Sequence, residues 1–265
     1  MFRYKEDKWP VAIILAFSIL DFAAFFLLQN IWLLAFYPLV LFIVKINISA
    51  WNHHHQHTPT FRSNALNRVL EFFYALHTGV TTNMWCLHHN IGHHVNFLDQ
   101  SKDESGWKRK DGSTMGHLEY SFNIFSTAHY RAFKVGKRFP KIQKNYLIFT
   151  FLTFLIVGLL TWYKPMQGLF IFIIPMILSL FFTCWVTYGH HAGLDTSNEF
   201  EGSYNNEGKW FNVFTGNLGY HTAHHHKPGA HWSKLPALHE TIKDKIPEKC
   251  YVNILIDGVP AVNPV

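Results

Sequence analysis

The feature that most constrains this chain is a pair of long apolar runs, residues 9–50 and 146–188. Each is about twice the ~20 residues that one helix needs to cross a bilayer, so each predicts two helices in succession. Short polar joints divide them: residues 9–28 and 31–50 meet at Gln29 and Asn30, and residues 146–163 and 168–188 meet at Lys164, Pro165, Met166 and Gln167. Trp9, Trp32, Trp51, Trp162 and Tyr163 stand at the run ends, where amphipathic rings favour the headgroup zone. The expected fold is an all-α integral membrane protein with four transmembrane helices in two hairpins.

Charge tests this layout against the rival of buried helices in a soluble protein. Of the 23 Lys and Arg residues, three lie in 1–8, twelve in 52–145 and six in 189–265. Those segments share one side of the expected membrane, and the positive-inside tendency makes that side cytoplasmic, both termini included. Lys45, near the end of the second helix, is expected to snorkel to that surface, and Lys164 alone falls outside. The net charge of +6 is thereby explained without nucleic acid as a partner.

The first run is too long for a signal peptide and no small-residue cleavage site follows it, so it is expected to be retained. Residues 65–87 and 118–135 carry apolar and charged residues at helical spacing and are expected as interfacial helices on the cytoplasmic side. Loops are expected after Gly189 and after Val252. No internal repeat beyond the two hairpins is visible, so residues 1–265 read as one domain. Asp21, an acid inside the first run, is expected as a neutral or hydrogen-bonded group facing the bundle, with Ser18 one turn away. Its second reading is a role at the end of a substrate channel.

The 19 histidines outnumber the 17 acids. Fourteen of them form four clusters, WNHHHQH at 51–57, LHHNIGHH at 87–94, YGHHAG at 188–193 and GYHTAHHH at 219–226. All four fall in the expected cytoplasmic cap. His53 and His57 are four apart, so continuation of the second helix past Ala50 would put both on one face. His89, His93 and His94 read H-x3-HH, and His221, His224 and His225 read H-x2-HH. Adjacent histidines cannot share a helical face and suit two nearby metals.

The candidate ligands exceed the four of a tetrahedral zinc site. Cys86, Cys184 and Cys250 form no CxxC, so neither a disulfide framework nor a thiolate cluster is expected. Two irons in an all-nitrogen shell, with positions open for oxygen, use the whole set of eight candidate ligands in three boxes and a ninth from YGHHAG. His77, His117, His129, His231 and His239 are isolated and are expected to play hydrogen-bonding structural roles. His54, His55, His88, His190 and His226 are expected beside the ligands rather than among them.

These boxes, in this order and around paired apolar hairpins, resemble the membrane fatty acid desaturase superfamily of histidine-box desaturases and hydroxylases. The stretch NLGYHTAHHHKPGAHWSKLPALH is similar to its third box, and YGHHAGLD to the extra histidine before that box. The resemblance implies a di-iron site of His53, His57, His89, His93, His94, His191, His221, His224 and His225, with Asn217 as a polar contact. Asp99, Asp103 and Asp195 would orient ligands, because a ligating imidazole normally donates its other N–H to an oxygen.

The reaction implied is O2-dependent oxidation of an unactivated C–H bond, with desaturation of a fatty acyl lipid or thioester as the first reading. The second box also resembles that of membrane alkane hydroxylases, which leaves hydroxylation of an acyl or alkane chain open. Oxidative decarboxylation of a fatty acid to a terminal alkene is a further alternative. No cysteine set or cytochrome-like extension accompanies the boxes, so a separate electron donor of ferredoxin, rubredoxin or cytochrome type, with its reductase, is expected. The ten Lys and Arg residues between Lys102 and Lys144 could dock that donor or anionic lipid headgroups. The non-enzyme reading is a metal transporter or metal buffer. A transporter should carry its ligands inside the spans, whereas these clusters lie beyond the span ends.

Overall fold

The computed structural model describes residues 1–252; the loop expected after Val252 lies outside the described residues. The described chain is helical, with isolated bridges such as Phe2 to Phe61 and no strand. In order, the helices are α1 (Lys8–Leu27), α2 (Ile31–His57), α3 (Asn64–Thr78), a π-helical segment (Cys86–His94), α4 (His117–Gly136) and α5 (Pro140–Tyr163). Then come α6 (Pro165–His191), α7 (Lys209–Thr215), α8 (His221–His226) and α9 (Leu235–Glu240). α1 with its preceding turn, α2, α5 and α6 are each long and apolar enough to cross a membrane. Their large outward residues, among them Ile19, Leu39, Val40, Phe151 and Trp162, present the surface expected of helices solvated by lipid.

The chain divides into two compact units. The first comprises Met1–His55, Pro59–Trp85 and Lys137–Leu180, and the second comprises Gln56–Thr58, Cys86–Gly136 and Phe181 onward. In the first, Phe25, Leu34, Leu76, Val157, Ile171, Phe172 and Met176 form an apolar core. Its joints are chemically closed. Asn30 Oδ1 accepts from the Trp32 and Leu33 amides, capping α2, while Lys164 Nζ donates to the Phe26 carbonyl at the free end of α1.

Two expectations are corrected in this unit. Lys45 does not snorkel; it is 1% exposed and forms an ion pair with Asp21. A carboxylate on the neighbouring span gives the ammonium a partner that the apolar surroundings lack. Asp21 also accepts from Tyr37 at 2.8 Å, and His77 closes the group, with Nδ1 2.7 Å from Lys45 Nζ and Nε2 2.9 Å from Ser18 Oγ. The helix expected over 65–87 ends at Thr78. Gly79, at φ 71°, caps it in the left-handed conformation, and a Cβ there would stand 2.8 Å from the Met176 carbonyl oxygen. The shortened α3 packs against α1 and α5.

The second unit holds the π-helical segment, α4, the last turns of α6 and α7–α9. α4 packs on the π-helical segment, and α8 on α9. Ala223, Ile242, Ile246 and Cys250 form a small apolar cluster beneath α8.

Candidate metal centre

The helices carrying the first and third clusters run past their apolar segments. α2 continues to His57, so His53 and His57 lie one turn apart on one face, and α6 continues through His190 to His191. Within the first unit His55 Nε2 lies 3.2 Å from Glu71 Oε1 and Nδ1 lies 3.0 Å from Thr60 Oγ1. Both ring nitrogens of His55 are therefore engaged, which explains how it can sit between two candidate ligands without being one.

The second cluster is a π-helical segment, with backbone bonds to the fifth residue. That winding places His89 and His94, five apart, on one face, with their Nε2 atoms 2.9 Å apart. An α-helical reading of H-x3-HH misses this pairing. α8, only six residues long, buries His221, His224 and His225 on successive sides.

Within the second unit the imidazoles gather into two sets. In one, the ligand atoms of His57, His89 and His224 lie within 4.8 Å of one another; in the other, those of His93, His191 and His225 do. His94 has ring neighbours in both, packing edge-on to His57 and His224 and stacking on His225 at 4.0 Å. His221 Nε2 stands 3.1 Å from His191 Nε2 and its ring stacks on His190 at 3.9 Å. Phe97, at 4.3 Å from the His225 ring, forms an apolar wall of the second set. Cys86, Cys184 and Cys250 form no disulfide among the described residues and lie outside both sets.

The second set is anchored from behind. His93 Nδ1 is 2.8 Å from Asp103 Oδ1, and His191 Nδ1 is 2.8 Å from the Gly202 carbonyl oxygen. Each anchor takes an Nδ1–H and leaves Nε2 as a lone-pair donor facing inward. Those two Nε2 atoms are 3.2 Å apart. Two nitrogens held at about 2.1 Å from one metal ion lie roughly 3 to 3.4 Å apart at right-angled or tetrahedral openings. An N–H···N bond has a similar length, so the distance alone does not decide. His225 adds a second observation: it is buried, and neither ring nitrogen has a hydrogen-bond partner among the described residues. A buried imidazole without partners is costly unless a metal ion completes it.

Electrostatics agree with ligation. Burial, reinforced by neighbouring imidazoles, holds His94 and His225 well below the ordinary histidine value. His88 is pushed down to about 3, by burial first and then by the Arg131 guanidinium. Neutral imidazole is the form that binds metals. The donor set therefore fits divalent iron or another imidazole-seeking ion.

Other candidates stand elsewhere. Asp99 binds Lys102 and Ser101, and Asp195 pairs with Lys108, both at the surface. Asn217 donates to the Trp232 carbonyl from a positive-φ turn. Of the isolated histidines, His117 Nε2 lies 2.7 Å from the Trp185 carbonyl, His231 Nδ1 2.8 Å from Ser233 and His239 Nε2 3.3 Å from Glu207. His226 bonds Glu199. In the basic stretch, Lys102, Lys108, Arg109, Arg131 and Lys134 already pair with acids of this chain. The Gly202 carbonyl and Phe97 are absent from the sequence reading: a backbone acceptor leaves no residue signature, and one Phe among 25 carries little.

A family model described as fatty acid desaturase matches residues 6–254. No curated protein matches the chain, and no solved structure does.

Proposed function

The chain belongs to the fatty acid desaturase family, an oxidoreductase family acting on fatty acyl chains, and from that premise we propose that it is a di-iron desaturase of a fatty acyl lipid or thioester. Its apolar spans make it an integral membrane enzyme with a lipid substrate. The observation that carries the metal reading is the pair of imidazole sets, the second wholly buried, with His225 lacking any hydrogen-bond partner among the described residues.

On this reading His93, His191 and His225, with His221 beside His191, would hold one iron. His57, His89 and His224 would hold the other, with His94 lying beside both sets; His53 stands one turn before His57 on α2. Bound iron would supply reductive activation of O2 and the power to take hydrogen from an unactivated C–H bond. Desaturation balances as a saturated –CH2–CH2– segment, O2, two electrons and two protons giving –CH=CH– and two waters. Electrons for that balance come from a separate donor protein. The charge distribution supports a cytoplasmic placement of both termini and of the histidine segments.

The protein's own contribution is orientation and exclusion. Asp103 and the Gly202 carbonyl fix the tautomer of His93 and His191. Burial keeps His94, His191 and His225 neutral, and Phe97 helps to keep water from the second set.

Two measurements test this together. Purified protein should hold about two irons per chain, and one tightly held zinc instead overturns the di-iron assignment. Mass spectrometry of lipids from expressing cells should show loss of two hydrogens. A gain of one oxygen makes the enzyme a hydroxylase, and a hydrocarbon one carbon shorter makes it a decarboxylase; either replaces the proposed reaction.

A further inference from the structure

Arg131 looks like an ordinary positive charge on an amphipathic helix, yet its surroundings give it a defined task. It lies on α4 with its side chain 22% exposed, and its guanidinium is held in three directions. Nε donates to Thr127 at 2.7 Å and Nη2 to Asn123 at 2.7 Å, both on α4. The third direction leaves the helix: Nη1 donates to the Glu104 backbone carbonyl at 2.8 Å. The first two bonds fix the planar fork, so the third is delivered in a set direction.

Glu104 adjoins Asp103, whose carboxylate orients His93. The same short loop is pinned at further points. Glu104 N donates to the Gly92 carbonyl at 3.2 Å, and Ser105 N donates to Asp103 Oδ1 at 2.7 Å. Tyr120, a fully buried ring on α4, bonds Ser105. The loop lies so close to the π-helical segment that a Cβ at Gly92 would come within 2.7 Å of Glu104 Cγ. A carboxylate on a loop is only as well aimed as the loop, and here α4 supplies the far-side support.

We infer that Arg131 is a positioning residue for the metal site, fixing the Glu104 carbonyl and thereby the aim of the Asp103 carboxylate on His93. The inference rests on the proposed metal binding by His93, His191 and His225. It makes α4 part of the catalytic frame. The far face of α4, with Leu118 and Phe122 exposed, would then be mechanically joined to the metal site.

The test uses the full chain in nanodiscs, stripped of metal and titrated with Co(II), whose ligand-field spectrum reports the ligand set. Wild type should bind two equivalents; if it binds none, the metal reading itself fails, independently of Arg131. Given wild-type binding, Arg131→Gln should weaken one equivalent by about 10–100-fold, the usual loss when support behind a ligand is removed, and should change its spectrum. Lys134→Met removes the ion pair to the Glu104 carboxylate but not the grip on its carbonyl, and should stay within about twofold of wild type. Arg131→Lys keeps the charge but cannot hold three acceptors in a plane, and should lose at least about threefold. It decides the matter if Arg131→Gln fails to fold. A lower thermal midpoint with wild-type Co(II) affinity and spectrum would make Arg131 merely structural and overturn the inference, as would an equal loss in Lys134→Met.

Discussion

His77 in the first unit and His225 in the second are both shut away from water, yet their rings meet opposite surroundings. His77 Nδ1 faces the Lys45 ammonium and Nε2 faces Ser18 Oγ, which in turn donates to the Ile14 carbonyl. In the tautomer with Nε2–H donating to the serine, Nδ1 accepts from Lys45, whose ammonium also pairs with the Asp21 carboxylate 3.2 Å from that nitrogen. His225 is packed among His93, His94, His191 and His221 with no hydrogen bond to either nitrogen among the described residues. Burial alone therefore does not mark a ligand. Completeness of hydrogen bonding does, because a satisfied network has nothing left to bind with, while an unsatisfied one is stable only if something else completes it.

The largest effect should come from breaking the incomplete side. His225→Ala removes a ring that makes no hydrogen bond among the described residues, so the metal-free protein should lose packing but no hydrogen bond and should remain folded. Metal binding should fall by more than about 100-fold, beyond the loss expected for a supporting group, and acyl oxidation should disappear with it. Metal content and product formation by the same preparation check this. Full metal content in His225→Ala would remove the distinction between the two histidines.

The same contrast shows what the sequence could and could not reveal. The four spans are legible because run length against bilayer thickness is a coarse, local property. Their ends are not: the apolar signal stops near Ala50 and Tyr188, but the helices continue to His57 and His191. There polar residues turn inward to partners supplied from far along the chain, as His55 does to Glu71. The π winding of Cys86–His94 has no residue code, since it is a hydrogen-bond pattern that the packing of α4 against it helps to hold. Lys45 was legible as a charge near a helix end but not as the partner of Asp21, because that depends on which face of α2 meets α1. Of three candidate acids, Asp103 reaches a histidine because its loop doubles back onto Gly92, a contact that spacing does not encode.

An intermediate effect should come from breaking the complete side. Lys45→Met leaves Asp21 as a buried carboxylate without its cation, which should destabilise the protein by about 3–5 kcal/mol. Asp21→Asn in the same chain removes the stranded charge while keeping an acceptor for Tyr37, and should recover a large part of that loss. Denaturant titration in detergent micelles reads both. The fraction that remains folded should bind metal as wild type does, since the network is internally satisfied. If Lys45→Met is as stable as wild type, or its folded fraction has lost metal, then the first-unit network is not the self-contained structural element the comparison requires.

The smallest effect is one of pH. Burial first, and the Lys45 ammonium after it, hold His77 below the ordinary histidine value. With the folded value below the unfolded one, the unfolded chain takes up the proton first as pH falls. The contribution of His77 is therefore fully present above about pH 6.5 and is lost as pH drops from there towards the folded value, at up to about 1.4 kcal/mol per pH unit. His77→Gln has no ring to protonate, so it should be the less stable protein near neutral pH, having lost a fitted link. Its disadvantage should shrink steadily as the medium is acidified. Unfolding midpoints of the metal-free proteins compared across that window isolate His77, because every other histidine titrates in both. Parallel profiles would mean that the His77 ring takes up its proton at least as readily in the folded protein as in the unfolded chain, and the single-tautomer account of the first unit would have to be abandoned.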